Sequence, residues 1–544
     1  MAAVLGVDGS RRTAIRFLGS LSRLPGGRAL IAGFGHTLPP TAARGVIAGV
    51  PCGSRVGVSS GPGLAADVAG AMPALGAGLV EVGPVGAAAA HAVARSLRHA
   101  GAPVAVRVSA RDAAEVVPVT ADCAAIVVVD LDAGAGSDVV AKVSSRTKAP
   151  VLAGISATTA AAPAACGLVI REASIESVRR YRSPGRAIIA TTSNPSPRAA
   201  ADLLAAGADA VLATPAALIE AGPGWFSRVT ELTTPAEPGD VASRAWIAGV
   251  ALGLGMIFGG LGAAIESLGP VLLPYDAAFL GAGADRLAAI NPRLIQFLQH
   301  DRITLAGTMI AIGILYTSLS WFGIRRGLAW ARDAVLASGV VGFPTLFYFF
   351  GYGYVEPVHV ALAAVLFPLF VLAVWRRPTA RSASAPDADA APVDEWHRAL
   401  AGQLLMVLTG FGLVVGGLTI SYVGLTAVFV PSDLAYMATT AHALDDANHR
   451  LLSFIAHDRA GFGGALISAG VAILLLAAWG WKRGSAWVWW CLLACASIGF
   501  GAALGVHLAV AYTDFWHVLP IYVGIAVSSI SLTLAGPFLL GRRE

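Results

Sequence analysis

Two identical tripeptides, His300-Asp301-Arg302 and His457-Asp458-Arg459, stand 157 residues apart and combine an imidazole, a carboxylate and a guanidinium. Each is followed by a second acid–imidazole pair, Glu356-x-x-His359 and Asp514-x-x-His517. An i,i+3 spacing at a helix start puts both side chains on one face. Histidines and carboxylates gathered in this way can ligate a transition metal or relay protons. The candidate metal set is therefore His300, Asp301, Glu356, His359, His457, Asp458, Asp514 and His517. A purely structural reading competes with it: Asp276, Asp301 and Glu356 would cap helices or loops, and Arg293 and Arg302 would pair with them.

The flanks of the triplets repeat in register. Pro274-Tyr275-Asp276 answers to Pro431-Ser432-Asp433, Asn291-Pro292-Arg293 to Asn448-His449-Arg450, and Trp330 to Trp487. Polar matches over such a length indicate a tandem duplication. Each copy carries four apolar runs near the ~20 residues that cross a bilayer. The expected spans are 245–269, 303–324, 329–350 and 357–375, then 401–423, 460–481, 486–510 and 517–540. Arg325-Arg326, Arg376-Arg377, Lys482-Arg483 and Arg542-Arg543 fall at ends that alternate crossing puts on one side, which the positive-inside rule makes cytoplasmic. The triplets then fall in loops at the outer face, outside the spans. Gly255-x-x-x-Gly259 and Gly412-x-x-x-Gly416 offer small faces for helix packing.

Composition agrees with a membrane protein. Only 13% of the 544 residues are charged, against roughly 25% in soluble domains. The net charge of +5 lies in short clusters between apolar runs, which does not suit nucleic-acid binding. The five cysteines have neither metal nor disulfide spacing. No signal segment opens the chain, so the N-terminal region is expected to stay in the cytoplasm and the protein to be a multi-pass inner (plasma) membrane protein whose partner is the lipid bilayer.

The first 240 residues read differently. Eight short apolar runs alternate with Ala-rich stretches: Arg55–Ser60, Leu79–Val85, Val104–Ser109, Ala124–Leu131, Pro150–Ser156, Gly167–Ile170, Ala187–Thr192 and Ala210–Thr214. Buried parallel strands look like this, and eight βα units predict a closed (β/α)8 barrel with its site at the C-terminal strand ends. The predicted organisation is an α/β barrel over 1–240, a four-helix repeat over 241–377, a cytoplasmic linker over 378–400 and a second repeat over 401–544.

Within the barrel, Val56-Gly57-Val58-Ser59-Ser60-Gly61, Leu75-Gly76-Ala77-Gly78-Leu79-Val80-Glu81-Val82-Gly83 and Glu220-x-Gly222-Pro223-Gly224 resemble segments of the membrane-associated, quinone-using dihydroorotate dehydrogenases. The resemblance covers residues 11–232. It implies an FMN-dependent ancestry, with Ser59, Ser60, Gly61, Gly83, Thr192, Ser193 and Thr214 at the positions nearest a flavin. The family's flavin-side lysines are replaced by Leu64 and Gly154, its catalytic-serine segment by Asp130-Leu131-Asp132-Ala133, and a phosphate-loop glycine by Pro215. No residue stands as a catalytic base. The expected function is a catalytically degenerate barrel serving as scaffold or ligand sensor for the duplicated membrane domain. The alternative is an active FMN oxidoreductase passing electrons to quinone.

Overall fold

The computed structural model describes residues 2–35, 43–131, 138–159, 167–222, 224–234, 244–345, 347, 353–376 and 393–541, and structural statements below concern these residues. The chain divides into two compact units, one built on Met1–Pro235 and the other on the helices that follow.

In the first unit eight parallel strands close into a barrel: β3 (Val56–Ser60), β4 (Leu79–Val82), β5 (Val104–Ser109), β6 (Ile126–Asp130), β7 (Val151–Ser156), β8 (Gly167–Arg171), β9 (Ala187–Thr192) and β10 (Ala210–Ala213), with β10 hydrogen-bonded to β3. All eight expected strands are present, because a strand buried on both faces must be apolar at every position. Their lumen-facing residues, among them Leu79, Ile126, Leu152 and Leu212, form one core. A hairpin of β1 (Gly45–Ile47) and β2 (Val50–Cys52) adds Ile47 and Cys52 to that core and plugs one end of the barrel. The opposite, C-terminal end of the strands is left for polar side chains.

Among the described residues the second unit contains twelve α-helices in two matching sets, numbered from its start. The first set is α1 (Ala245–Leu268), α2 (Pro274–Leu280), α3 (Ala284–Ile290), α4 (Leu294–Ser318), α5 (Ala329–Thr345) and α6 (Pro357–Val374). The second is α7 (Val393–Leu425), α8 (Pro431–Met437), α9 (Ala441–Ala447), α10 (Leu451–Gly480), α11 (Ala486–Ala509) and α12 (Phe515–Leu540). The expected linker is shorter than its 378–400 bounds, since Val393 already begins α7; residues 377–392 lie outside the described part.

Packing repeats too. Within each set the first helix lies against the fourth and the sixth; between sets α4 meets α11, α5 meets α10, and α4 meets α10. The arrangement has the reciprocity of a two-fold dimer made within one chain. At the α1–α4 contact an added Cβ on Gly313 would lie 2.5 Å from the Gly253 carbonyl, and its counterpart Gly470 would come 2.7 Å from that of Gly410. These glycines allow the backbones to meet. Of the expected pairs, Gly255 and Gly259 lie close under side chains of neighbouring helices, an added Cβ coming 2.5 Å from Leu366 and 3.2 Å from Met309, whereas at Gly412 it would find nothing within 4 Å and at Gly416 ordinary contact.

Seven described helices are long and apolar enough to cross a membrane, where eight spans were expected. The helix outside that set is α5, which has 17 described residues.

The largest departure concerns the two triplets. Expected in outer loops, they lie instead within α4 and α10, and all six side chains are buried. Hydropathy ends a span at a charge because it cannot see a partner from a distant repeat. Here Arg302 Nε lies 2.9 Å from Asp458 Oδ2, and Arg459 Nε 3.1 Å from Asp301 Oδ2. Each guanidinium also reaches its own repeat, Arg302 to Glu266 and Asp276 at 2.9 and 3.2 Å, and Arg459 to Asp433 at 2.6 Å. Arg302 stacks over Phe454 and Arg459 over Phe297, each 5.0 Å from the ring centre.

Removing one partner of a buried ion pair costs about 3–5 kcal/mol. Arg302→Met, which strands Asp458 and Asp276, should cost that much in detergent unfolding of the full chain, and Arg459→Met a similar amount. Asp458→Asn should cost less, and adding it to Arg302→Met should cost little further. A loss below about 0.5 kcal/mol for Arg302→Met, the size of an ordinary surface change, would contradict the packing described.

Candidate functional site

Two polar constellations could carry chemistry, one at the barrel mouth and one at an end of the helical bundle.

At the barrel mouth the strands present Glu81 from β4, Arg107 from β5, Asp130 from β6 and Arg171 from β8. β4 and β8 are diametrically opposite in the strand order, so their contact crosses the lumen. Arg171 Nη1 donates to both Glu81 oxygens at 2.7 and 3.0 Å, and Nη2 donates to Asp130 Oδ1 at 3.0 Å. Ser59 donates to Glu81 Oε1 at 2.6 Å, and Arg107 donates to the Gly83 carbonyl at 2.5 Å. Glu81 is fully buried. Burial opposes the charge on Arg171, but Glu81 and Asp130 outweigh it and hold the guanidinium above its ordinary pKa. Burial lowers Arg107, and repulsion from Arg171 lowers it further.

The seven positions expected nearest a flavin lie on four neighbouring strand ends, β9, β10, β3 and β4. Most of their groups are engaged within the chain. Thr192 Oγ1 accepts from the Asn194 amide at 3.1 Å, and Thr214 Oγ1 caps a helix by accepting from the Ala217 amide. The Ser193 amide and hydroxyl both donate to Glu172 Oε2, at 3.0 and 2.7 Å. A carboxylate thus takes the donors that a phosphate would need. Gly61 starts a short turn, and the Ser60 hydroxyl is buried without a hydrogen-bond partner among the described residues. The helices after β9 and β10 begin with Pro197 and Pro215, which lack amide donors. This donor set does not fit a flavin phosphate, and the ion pair fills the axis above the core.

In the helical unit the second constellation gathers at the bundle end where α4, α10, α6 and α12 begin and α11 ends. Short helices α2, α3, α8 and α9 share an apolar core with that end. Two groups of ligating side chains form there, with ligand atoms all within 4.8 Å inside each group. One is His300, His507 and His517; the other is Glu356, His359 and His457. Both cross the repeat boundary, His300 meeting His517 and His457 meeting His359. Sequence reasoning omitted His507, because the first repeat has Phe349 and Phe350 at the matching positions and the pairing of repeats offered no signal for it.

The remaining candidates serve as supports. Asp301 Oδ1 lies 3.2 Å from His300 Nδ1, and Asp458 Oδ1 lies 3.0 Å from His457 Nδ1. Asp514 caps α12 by accepting from the His517 amide at 2.9 Å. Asp276 and Asp433 accept from the Leu273 and Val430 amides, so the capping expectation holds for Asp276. Tyr354 donates to Asp276, and Tyr512 donates to Asp433 at 2.8 Å. Burial, reinforced by these carboxylates, pushes both phenols well above their usual range and keeps them donors.

No family model matches the chain, and no curated protein matches it. Among solved structures the barrel region is similar to a mandelate oxidase variant crystallised with 2-hydroxy-phenylacetamide, at 18% identity and a TM-score of 0.28, over 40% of this chain and 90% of that one. A likeness at this level carries no functional argument.

Glu81→Ala leaves Arg171 buried with Asp130 alone. It should cost about 3 kcal/mol and speed hydrogen exchange across β3–β5 and β8. Ser59→Ala loses one hydrogen bond and should cost about 1 kcal/mol. Equal effects of the two would contradict a lumen-crossing ion pair.

Proposed function

We propose that the protein is a multi-pass inner-membrane protein whose barrel is a non-catalytic scaffold or ligand sensor for the duplicated helical domain. One observation carries this reading. The Glu81–Arg171 pair crosses the lumen where a barrel enzyme would place its substrate or cofactor. The occupation of Ser193 by Glu172 supports it, as does the absence of lysine at Leu64 and Gly154. Among the described residues, the mouth carboxylates Glu81 and Asp130 are committed to Arg171 rather than poised as bases toward a bound substrate.

Membrane residence is supported by the outward faces of the helices, where Phe258, Ile265, Leu404 and Phe411 are exposed. Apolar patches of this kind are rare on soluble monomers. Arg325, Arg326, Lys482 and Arg483 follow α4 and α10 at one end of the bundle. The positive-inside rule puts that end, with the barrel and the C-terminus, in the cytoplasm.

An oxidoreductase passing electrons from FMN to quinone differs in one direct readout. Full-length protein purified in detergent should show no flavin absorption and release no FMN in acid. About one flavin per chain, bleached by dihydroorotate, would overturn the scaffold reading.

A further inference from the structure

The geometry points to two binding sites for divalent transition-metal ions of the zinc class. One is made by His300, His507 and His517, the other by His457, His359 and Glu356. Each draws ligands from both repeats.

The donor chemistry is the first argument. Three imidazoles, or two imidazoles and a carboxylate, are the sets that hold zinc with a fourth position open to water or a small ligand. Four-coordinate zinc with bonds of about 2.05 Å needs ligand atoms about 3.3 Å apart. Ligand atoms already within 4.8 Å reach that spacing through small side-chain rotations.

The second argument is the orientation of the imidazoles. His507 Nδ1 lies 2.6 Å from the Ala503 carbonyl, which can only accept, so this nitrogen carries the proton. His457 Nδ1 is hydrogen-bonded to the Asp458 carboxylate at 3.0 Å, whereas His300 Nδ1 lies 3.2 Å from that of Asp301 without hydrogen-bond geometry. A carboxylate or carbonyl behind a histidine fixes its tautomer and raises the basicity of the other nitrogen. His507 Nε2 is consequently left as a lone pair, 3.0 Å from His300 Nε2, and both rings are buried. With the His300 proton on Nδ1, a cation would take both Nε2 atoms as ligands. On the third ligand, His517, Nδ1 lies 3.2 Å from both the Ser432 and the Tyr512 hydroxyls, which leaves its other nitrogen for the ion.

The third argument is that the same device recurs in the other half with a different ligand. Where the first site takes His507 from α11, the second takes Glu356, which precedes α6. Asp514, the counterpart of Glu356, is used as a helix cap instead. The pair is therefore related by the duplication but unequal, a three-histidine site and a two-histidine, one-carboxylate site. Asp301 and Asp458 link each site to the cross-repeat arginine pairs, so ions here would brace the same interface.

The test is metal content of full-length protein carrying no histidine tag, equilibrated with Zn2+ in detergent and freed of excess. Two zinc ions per chain are expected. His300→Ala and His457→Ala should each remove one, and the double variant both. His517→Gln and His359→Gln, at less buried positions, should each remove one without the risk of unfolding the bundle. Fewer than two ions in the parent, or a count that the variants leave unchanged, overturns the proposal.

Discussion

The helical unit depends on an exchange of charges between its two halves. Arg302 pairs with Asp458 and Arg459 with Asp301, within helices long and apolar enough to cross a membrane. In a low-dielectric interior neither charge is tolerable alone, so each repeat is complete only with the other. The same swap extends through the neutral contacts. Asn291 donates to the Met437 carbonyl and Asn448 to that of Leu280; Arg293 reaches the Tyr436 carbonyl and Arg450 that of Phe279. A contact made once by accident would not be made twice with the repeats reversed. Three reciprocal pairs of polar contacts therefore fix the register of one half against the other.

The barrel solves a related problem in another way. A closed barrel leaves its lumen open at the strand ends, and enzymes of this architecture fill that opening with substrate. Here the chain fills it with its own ions. Arg171 holds Glu81 and Asp130 together across the mouth, and Glu172 satisfies the Ser193 donors. Both are internal substitutes for the charges of a bound ligand. A ligand entering the mouth would have to displace them.

Much of the fold is legible in the sequence because its signals are local. Eight apolar runs of strand length become eight strands, and the duplication is visible in residue register from Pro274 to Trp487. What escapes is non-local. The hairpin of β1 and β2 is too short to show a period. The triplets look like loop residues because charge ends a hydropathy window, and only the partner 156 or 158 residues away makes their burial affordable. His507 is invisible for the same reason: alone in an apolar helix it reads as a core histidine, until α11 is known to lie against α4. Of the candidate set, His300, His517, His457, His359 and Glu356 gather in two groups that cross the repeats, while Asp301, Asp458 and Asp514 lie behind them as supports.

Reciprocal packing of the two halves is the central claim, and cysteine cross-linking tests it most directly. Ser338 on α5 and Ser468 on α10 are buried with hydroxyls 2.9 Å apart. Full-length protein with Ser338→Cys and Ser468→Cys, and a protease site placed between residues 378 and 392, would be oxidised in the membrane and cut. The account predicts that the halves migrate together on a denaturing gel until reduced, while protein lacking the two new cysteines separates. Halves that separate without reductant, despite complete oxidation conditions, would contradict it.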